Sequence, residues 1–229
     1  MKKIITSFIV LFSVISCHKH QEAKNSISKT KDTLVTINKD VVAEDSIYEK
    51  EIICDSVYLN KNYKIILRHF SSENSYEEND KNTVFTFSKK LNGKYKELFR
   101  DSIESHVGAY EFQDFNGDKI KDILIQNISD VRGNWSYYLY LIDLKNDRLT
   151  KIKNFNEIKN PHYLPQYNVI DNEVMSGRNW TSFYQIKKDT VFDFEYIIYD
   201  GEDDNGNVVD FEKEYDKTLS KVLKNKNYK

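Results

Sequence analysis

The chain has 229 residues, 34 of them basic and 36 acidic, with a formal net charge of −2. That length suits one domain of ordinary size with tails, and the near balance of charge excludes a strong field for holding nucleic acid or an acidic membrane surface. Two prolines and seven glycines against 16 Tyr and 13 Phe exclude a collagen-like or linker-dominated chain and favour many short, aromatic-rich strands.

The first stretch, MKKIITSFIVLFSVISC, places two lysines before an apolar core from Ile4 to Ile15, followed by Ser16-Cys17. Such a core is too short to span a bilayer and has the layout of a secretory signal. Val14-Ile15-Ser16-Cys17 reads as a bacterial lipobox, which makes Cys17 the lipid-modified first residue of the mature chain. The alternative is an ordinary cleaved signal with an incidental cysteine. Each buried acyl CH₂ contributes about 0.8 kcal/mol, so several acyl chains hold a protein on a membrane. Removing residues 1–16 takes Lys2 and Lys3 away and moves the net charge from −2 to −4. His18 follows the cysteine, so the aspartate that retains some lipoproteins at the inner membrane is missing. The expected location is the outer membrane, facing the periplasm.

Residues 17–45 are expected to be a flexible, disordered tether, because the stretch 18–44 has no aromatic residue and no sustained periodicity. Its His18-Lys19-His20 reads as solvated spacer rather than a metal site, since no other ligand type lies nearby. With Cys17 lipidated, Cys54 in EKEIICDSVYL is the remaining thiol. It has no partner for an internal disulfide and reads as a buried structural cysteine.

From residue 46 the character changes. EKEIICDSVYL, NYKIILRHF, TVFTFSKKL and KYKELF read as β-branched and aromatic strands, several with period-two alternation. Asn92-Gly93 between two of them marks a tight hairpin, because both residues accept positive φ. GAYEFQDF, IKDILIQN, WSYYLYLID, RLTKIKNF, WTSFYQIKKD and TVFDFEYIIYD continue the series, with polar breaks at Asn146-Asp147 and Lys188-Asp189. KNPHYLPQY, with Pro161 and Pro165, is the irregular interruption. RGNWSYYLYLID and GRNWTSFYQIKKD share Asn-Trp-(Ser/Thr) steps 45 residues apart at Asn134 and Asn179, a spacing that suits successive units of a propeller or meander. At about 40 residues per unit the body allows roughly four. The expected class is all-β, a small β-propeller-like or antiparallel β-meander domain over 46–215, followed by a frayed charged tail over 216–229.

Within this series sits DFNGDKIKD. Asp114, Asn116, Asp118 and Asp122 occupy positions 1, 3, 5 and 9 of a calcium-loop register, with the Ile120 carbonyl at position 7. Alternate positions in a tight loop direct their side chains inward, and three carboxylates gathered there repel one another unless a cation neutralises them. Hard oxygen ligands without His or Cys favour Ca²⁺. The loop departs from a helix–loop–helix sensor: position 6 is Lys119, position 12 is Ile125, and the flanks YEF and ILI are strand-like. The expectation is a weak structural Ca²⁺ joining two strands, with a metal-free acidic turn as the alternative.

FQDFNGDKIKDILIQN, RGNWSYYLYLID, RLTKIKNFNEIKNPHY and YQIKKDTVFDFEYIIYD together resemble a family of bacterial secreted lipoproteins that carry a single D-x-N-x-D-x-x-x-D loop. The loop by itself resembles an FG-GAP or VCBS-type repeat. The family includes a Xanthomonas immunity lipoprotein that inhibits a lysozyme-like hydrolase delivered by type IV secretion. The resemblance covers roughly residues 108–200. It implies a small β-propeller with bound calcium, ligated by Asp114, Asn116, Asp118 and Asp122, and a cell-wall hydrolase as the envelope partner; it carries over no inhibitory contact residue.

No catalytic residue stands out. His69, His106 and His162 lie outside any nucleophile or zinc motif, and carboxylate spacing selects no pair for glycan cleavage. The chain therefore reads as a binding protein rather than an enzyme. The alternative is a protein- or carbohydrate-binding surface module using Trp135, Trp180 or Tyr137 for stacking, although core packing is the ordinary role of such residues.

Overall fold

Period-two alternation sets the first strands. In β2 (Tyr63–Phe70) the side chains of Tyr63, Ile65, Leu67 and His69 are buried while those between them are half-buried or exposed. β2 pairs antiparallel with β1 (Ser46–Ile53) on one side and β3 (Thr83–Leu91) on the other, and β3 pairs with β4 (Lys94–Ile103). Asn92 and Gly93 join the last two with φ of 50° and 83°, the left-handed pair that a tight hairpin of the right twist requires. The computed structural model describes residues 46–70, 81–105, 108–202, 206 and 208–226. The lipobox with Cys17, the tether with His18 and His20, and His106 lie outside the described residues.

Two further sheets repeat the plan. β5 (Tyr110–Gln113), β6 (Asp122–Ser129), β7 (Trp135–Asp143) and β8 (Arg148–Lys151) form the second sheet. A 3-10 turn at Phe155–Glu157 leads to β9 (Pro161–Leu164), β10 (Val169–Asn172), β11 (Trp180–Lys187) and β12 (Thr190–Tyr199), which form the third. Each sheet is a four-stranded antiparallel meander in chain order. The protein is thus mostly β, as its aromatic and β-branched runs imply. Where about four units were expected, the described residues contain three sheets. KNPHYLPQY, expected to be irregular, supplies β9, a strand in which Pro161 takes the first position, where a missing N–H is tolerated.

The 45-residue spacing is structural. Asn134 and Asn179 each immediately precede the third strand of their sheet, and Asn82 does so in the first. The side-chain oxygen of each accepts a backbone N–H across a loop: Ser105 for Asn82, Met175 for Asn134 and Ser176 for Asn179. The Asn82 copy carries no tryptophan, so the motif hides it.

Burial orders the sheets. β6 is buried along its first six residues. Ile123 and Ile125 pack with Tyr63, Phe85 and Phe87 of the first sheet, whereas Leu124 packs with Phe115, Phe155, Tyr163 and Ile170 toward the third. The second sheet is therefore the middle layer. Beyond the third sheet, Val169, Phe183 and Ile198 meet Leu219 and Val222 of α1 (Phe211–Lys226). The charged segment expected to fray is helical over this span, because one face of an otherwise polar sequence supplies apolar residues at i and i+3. On the first sheet, Lys64–Glu51 and Arg68–Glu49 pairs mark a polar outer surface.

Candidate functional site: the acidic loop

The loop from Asp114 to Asp122 joins β5 to β6, so its strand-like flanks are strands indeed. Its path is held by its own side chains. Asp114 accepts from the N–H groups of Asn116 (3.1 Å), Gly117 (2.7 Å) and Lys119 (2.8 Å). The Asn116 Oδ1 accepts from Asp118 N (2.9 Å), and the Asp118 Oδ1 from Ile120 N (2.7 Å). Asp and Asn at alternate positions thus pin the turn in the way these residues close Asx turns. Lys119, which departs from the glycine of the sensor pattern, still adopts φ of 67°. The missing glycine therefore leaves the chain path intact, at the modest cost of placing a β-carbon in the left-handed region. Gly117 has φ of 79°, and a Cβ there would lie 2.8 Å from the Tyr163 hydroxyl. Conformation and space both require glycine at that point.

Asp122 sits differently. It is fully buried, and its carboxylate accepts from Phe115 N (2.9 Å) and Ile142 N (3.2 Å), tying the loop to β7. Burial pushes its carboxyl up to about 7; the two backbone N–H groups oppose this, while the negative charges of Asp118 and Asp114 add to it. The Tyr163 phenol is raised by burial and then by Asp114, Asp122 and Asp118. The Tyr58 hydroxyl donates to the Lys121 carbonyl at 2.7 Å, fastening the far end of the loop to the segment after β1.

Among the described residues, no group of three or more His, Cys, Asp or Glu side chains is arranged to hold a metal ion. In the loop the oxygens of Asp114, Asn116 and Asp118 are turned onto loop N–H groups, and the Asn116 amide donates to Asp118 at 3.0 Å. The donor set nevertheless fits a hard cation. A carboxylate offers about four lone-pair sites, so an oxygen that accepts one N–H retains capacity, and among the described residues no ion pair opposes the charge of the three aspartates.

Comparison with protein-family models, curated proteins and solved structures returns no match. The resemblance drawn from the motifs therefore rests on those motifs.

The remaining candidates are dispersed. His69 is buried, with Nδ1 2.7 Å from the Thr83 hydroxyl, a core role. Cys54 is fully buried, donates weakly to the Ile52 carbonyl, and has its thiol pushed up to about 11 chiefly by burial, which makes it a poor nucleophile. Trp135 is 39% exposed and, with Phe115, Tyr137 and Glu111, lines a cleft of about 390 Å³ beside the loop. Tyr137 donates to Glu111 at 3.1 Å. Trp180 lines a separate cleft that Phe211 and Tyr215 of α1 also line.

Sequence reasoning missed the asparagines. Asn134 joins the second sheet to the third through the Met175 N–H and carbonyl, each at 2.8 Å. Asn160 adds the Trp135 N–H, the Glu173 carbonyl and the Asn134 oxygen. Asn134 was visible in the repeat; nothing in the sequence singles out Asn160 among so many asparagines.

Proposed function

We propose that this chain is a lipid-anchored envelope protein of the binding type, tethered through Cys17, with a structural Ca²⁺ in the loop of Asp114–Asp122. Its three meanders are read as the blades of a small propeller-like body. The observation that carries the calcium is the gathering of Asp114, Asp118 and the buried Asp122 in one loop; burial first, and the charges of Asp118 and Asp114 after it, raise the proton affinity of Asp122. Two cations relieve such a cluster, a proton or a metal, and outside the cytoplasm Ca²⁺ is the abundant hard one. In this reading Asp114, Asn116, Asp118 and Asp122 offer side-chain oxygens and Ile120 its carbonyl. The ion supplies charge neutralisation that staples β5 to β6, and no chemistry is asked of it.

The partner follows from the lipobox and the motif resemblance: a lysozyme-like peptidoglycan hydrolase in the periplasm, inhibited by binding. Pull-down of lysozyme-type hydrolases by the mature protein, combined with a lysis-protection assay in cells displaying it, is expected to show both binding and protection. Absence of both overturns the inhibitor reading.

A further inference from the structure

Between the third sheet and α1 lies a cleft of about 460 Å³, within the roughly 300–1,000 Å³ range of small-ligand sites. Its walls are aromatic on both sides: Trp180 at the start of β11, and Phe211 and Tyr215 on the helix. Its floor includes Asn172, the last residue of β10, which is 3% exposed. The Asn172 Oδ1 accepts from Ser182 N at 2.7 Å. A backbone N–H only donates, so this contact fixes which end of the amide is oxygen. The Nδ2 that remains is buried and has no hydrogen-bond partner, and Asn172 is among the residues that line the cleft. A buried donor left unmatched costs free energy unless a ligand or water meets it.

We infer that this cleft is a binding site for a neutral, polyhydroxylated ligand, a sugar ring, with Asn172 as its buried hydrogen-bond donor and Trp180 as its stacking face. The argument is by complementarity. An anion would meet three carboxylates, Asp171, Glu173 and Asp200, and no lysine or arginine among the described lining residues. An ammonium or guanidinium brings donors alone and leaves the Asn172 amide unmatched. A hydroxyl both donates and accepts, so it satisfies the amide and the carboxylates together, while the C–H face of the ring lies on an indole. One carboxylate is already oriented for this. Asp171 accepts from His162 Nδ1 at 3.0 Å and from the Tyr215 hydroxyl, which joins helix and sheet across the cleft. The site rests on neither the lipid anchor nor calcium, and it stands if the hydrolase partner fails.

Titration of the Trp135→Phe protein with chitotriose, cellotriose and maltotriose, followed through the emission of Trp180 and by calorimetry, tests the inference. At least one trisaccharide is expected to give saturable binding. Asn172→Asp, which keeps an acceptor for Ser182 N but removes the donor, is expected to weaken it about tenfold. Trp180→Ala is expected to abolish it with the melting transition retained. Glu173→Gln, which keeps an oxygen acceptor but removes the charge, is expected to weaken sugar binding about threefold. Absence of binding by all three sugars at about 20 mM, the weak end of specific recognition, overturns the inference. So does sugar binding untouched by Trp180→Ala. Saturable binding of arginine methyl ester that Glu173→Gln removes, in place of sugar binding, shows a cation site instead.

Discussion

Asp122 concentrates the chemistry of the acidic loop in one side chain. Its folded-state carboxyl lies at about 7, against about 3.9 in an unfolded chain. Between those values the folded protein holds a proton that the unfolded one has released. The contribution of this group to stability therefore falls as pH rises from about 4 to about 7 and is level above that. In EDTA, urea midpoints of the wild type are expected to carry this downward component between pH 5 and 7, and Asp122→Asn is expected to lose it. An identical slope in both proteins would show that the carboxyl is ordinary. Position 122 was legible from its place in the register; that it alone of the four is buried was not, because its carboxylate meets the Ile142 N–H of β7, twenty residues on.

At the scale of elements, two junctions hold neighbouring layers. Asn134 uses its whole amide: it accepts from Met175 N and Asn160, and donates to Asp130 and the Met175 carbonyl. Asn134 itself is buried, and an ordinary intramolecular hydrogen bond contributes about 0.5–1.5 kcal/mol net. Asn134→Ala is expected to lower the stability measured by urea unfolding by about 2–4 kcal/mol, and Asn179→Ala by clearly less. Equal effects would mean that Asn134 serves its own turn and not the sheet-to-sheet junction. The second junction is α1. Leu219 is buried against the third sheet, so Leu219→Ala should cost about 2–5 kcal/mol. A change within about 0.5 kcal/mol, the usual range at exposed positions, would show that the helix is loosely held. Strand character was plain from alternation and from Asn92-Gly93. The helix was not, since its apolar residues are few among charges and gain their meaning from the sheet face they cover.

At the scale of the whole molecule, calcium in the proposed loop site adds to the stability of the fold. A cation that binds the folded chain alone stabilises it by RT ln(1 + [L]/Kd). With a Kd on the order of 10⁻⁴–10⁻³ M, as in extracellular modules, 10 mM Ca²⁺ contributes about 1.4–2.7 kcal/mol. At this chain length each kcal/mol moves Tm by about 2–4 °C. A rise of several degrees is expected at pH 8, with a smaller one at pH 5, where a proton competes for Asp122. Asp118→Ala should remove both. A wild-type Tm unmoved by calcium would leave the loop as a self-closed polar turn.

The sequence by itself determined the all-β class, the strand series, the hairpin at Asn92-Gly93, and the location of the acidic loop between two strands. These follow from contacts short along the chain: alternation, turn residues with positive φ, and side chains that bond to N–H groups two to five residues away. Only the tertiary structure decided that the described residues form three sheets packed through β6, that a charged terminal segment becomes a covering helix, and that Asn172, with an unpartnered Nδ2, belongs to the lining of a cleft. Those outcomes depend on residues far apart in sequence meeting across layers, and a single polar side chain carries no mark of which layer it will meet.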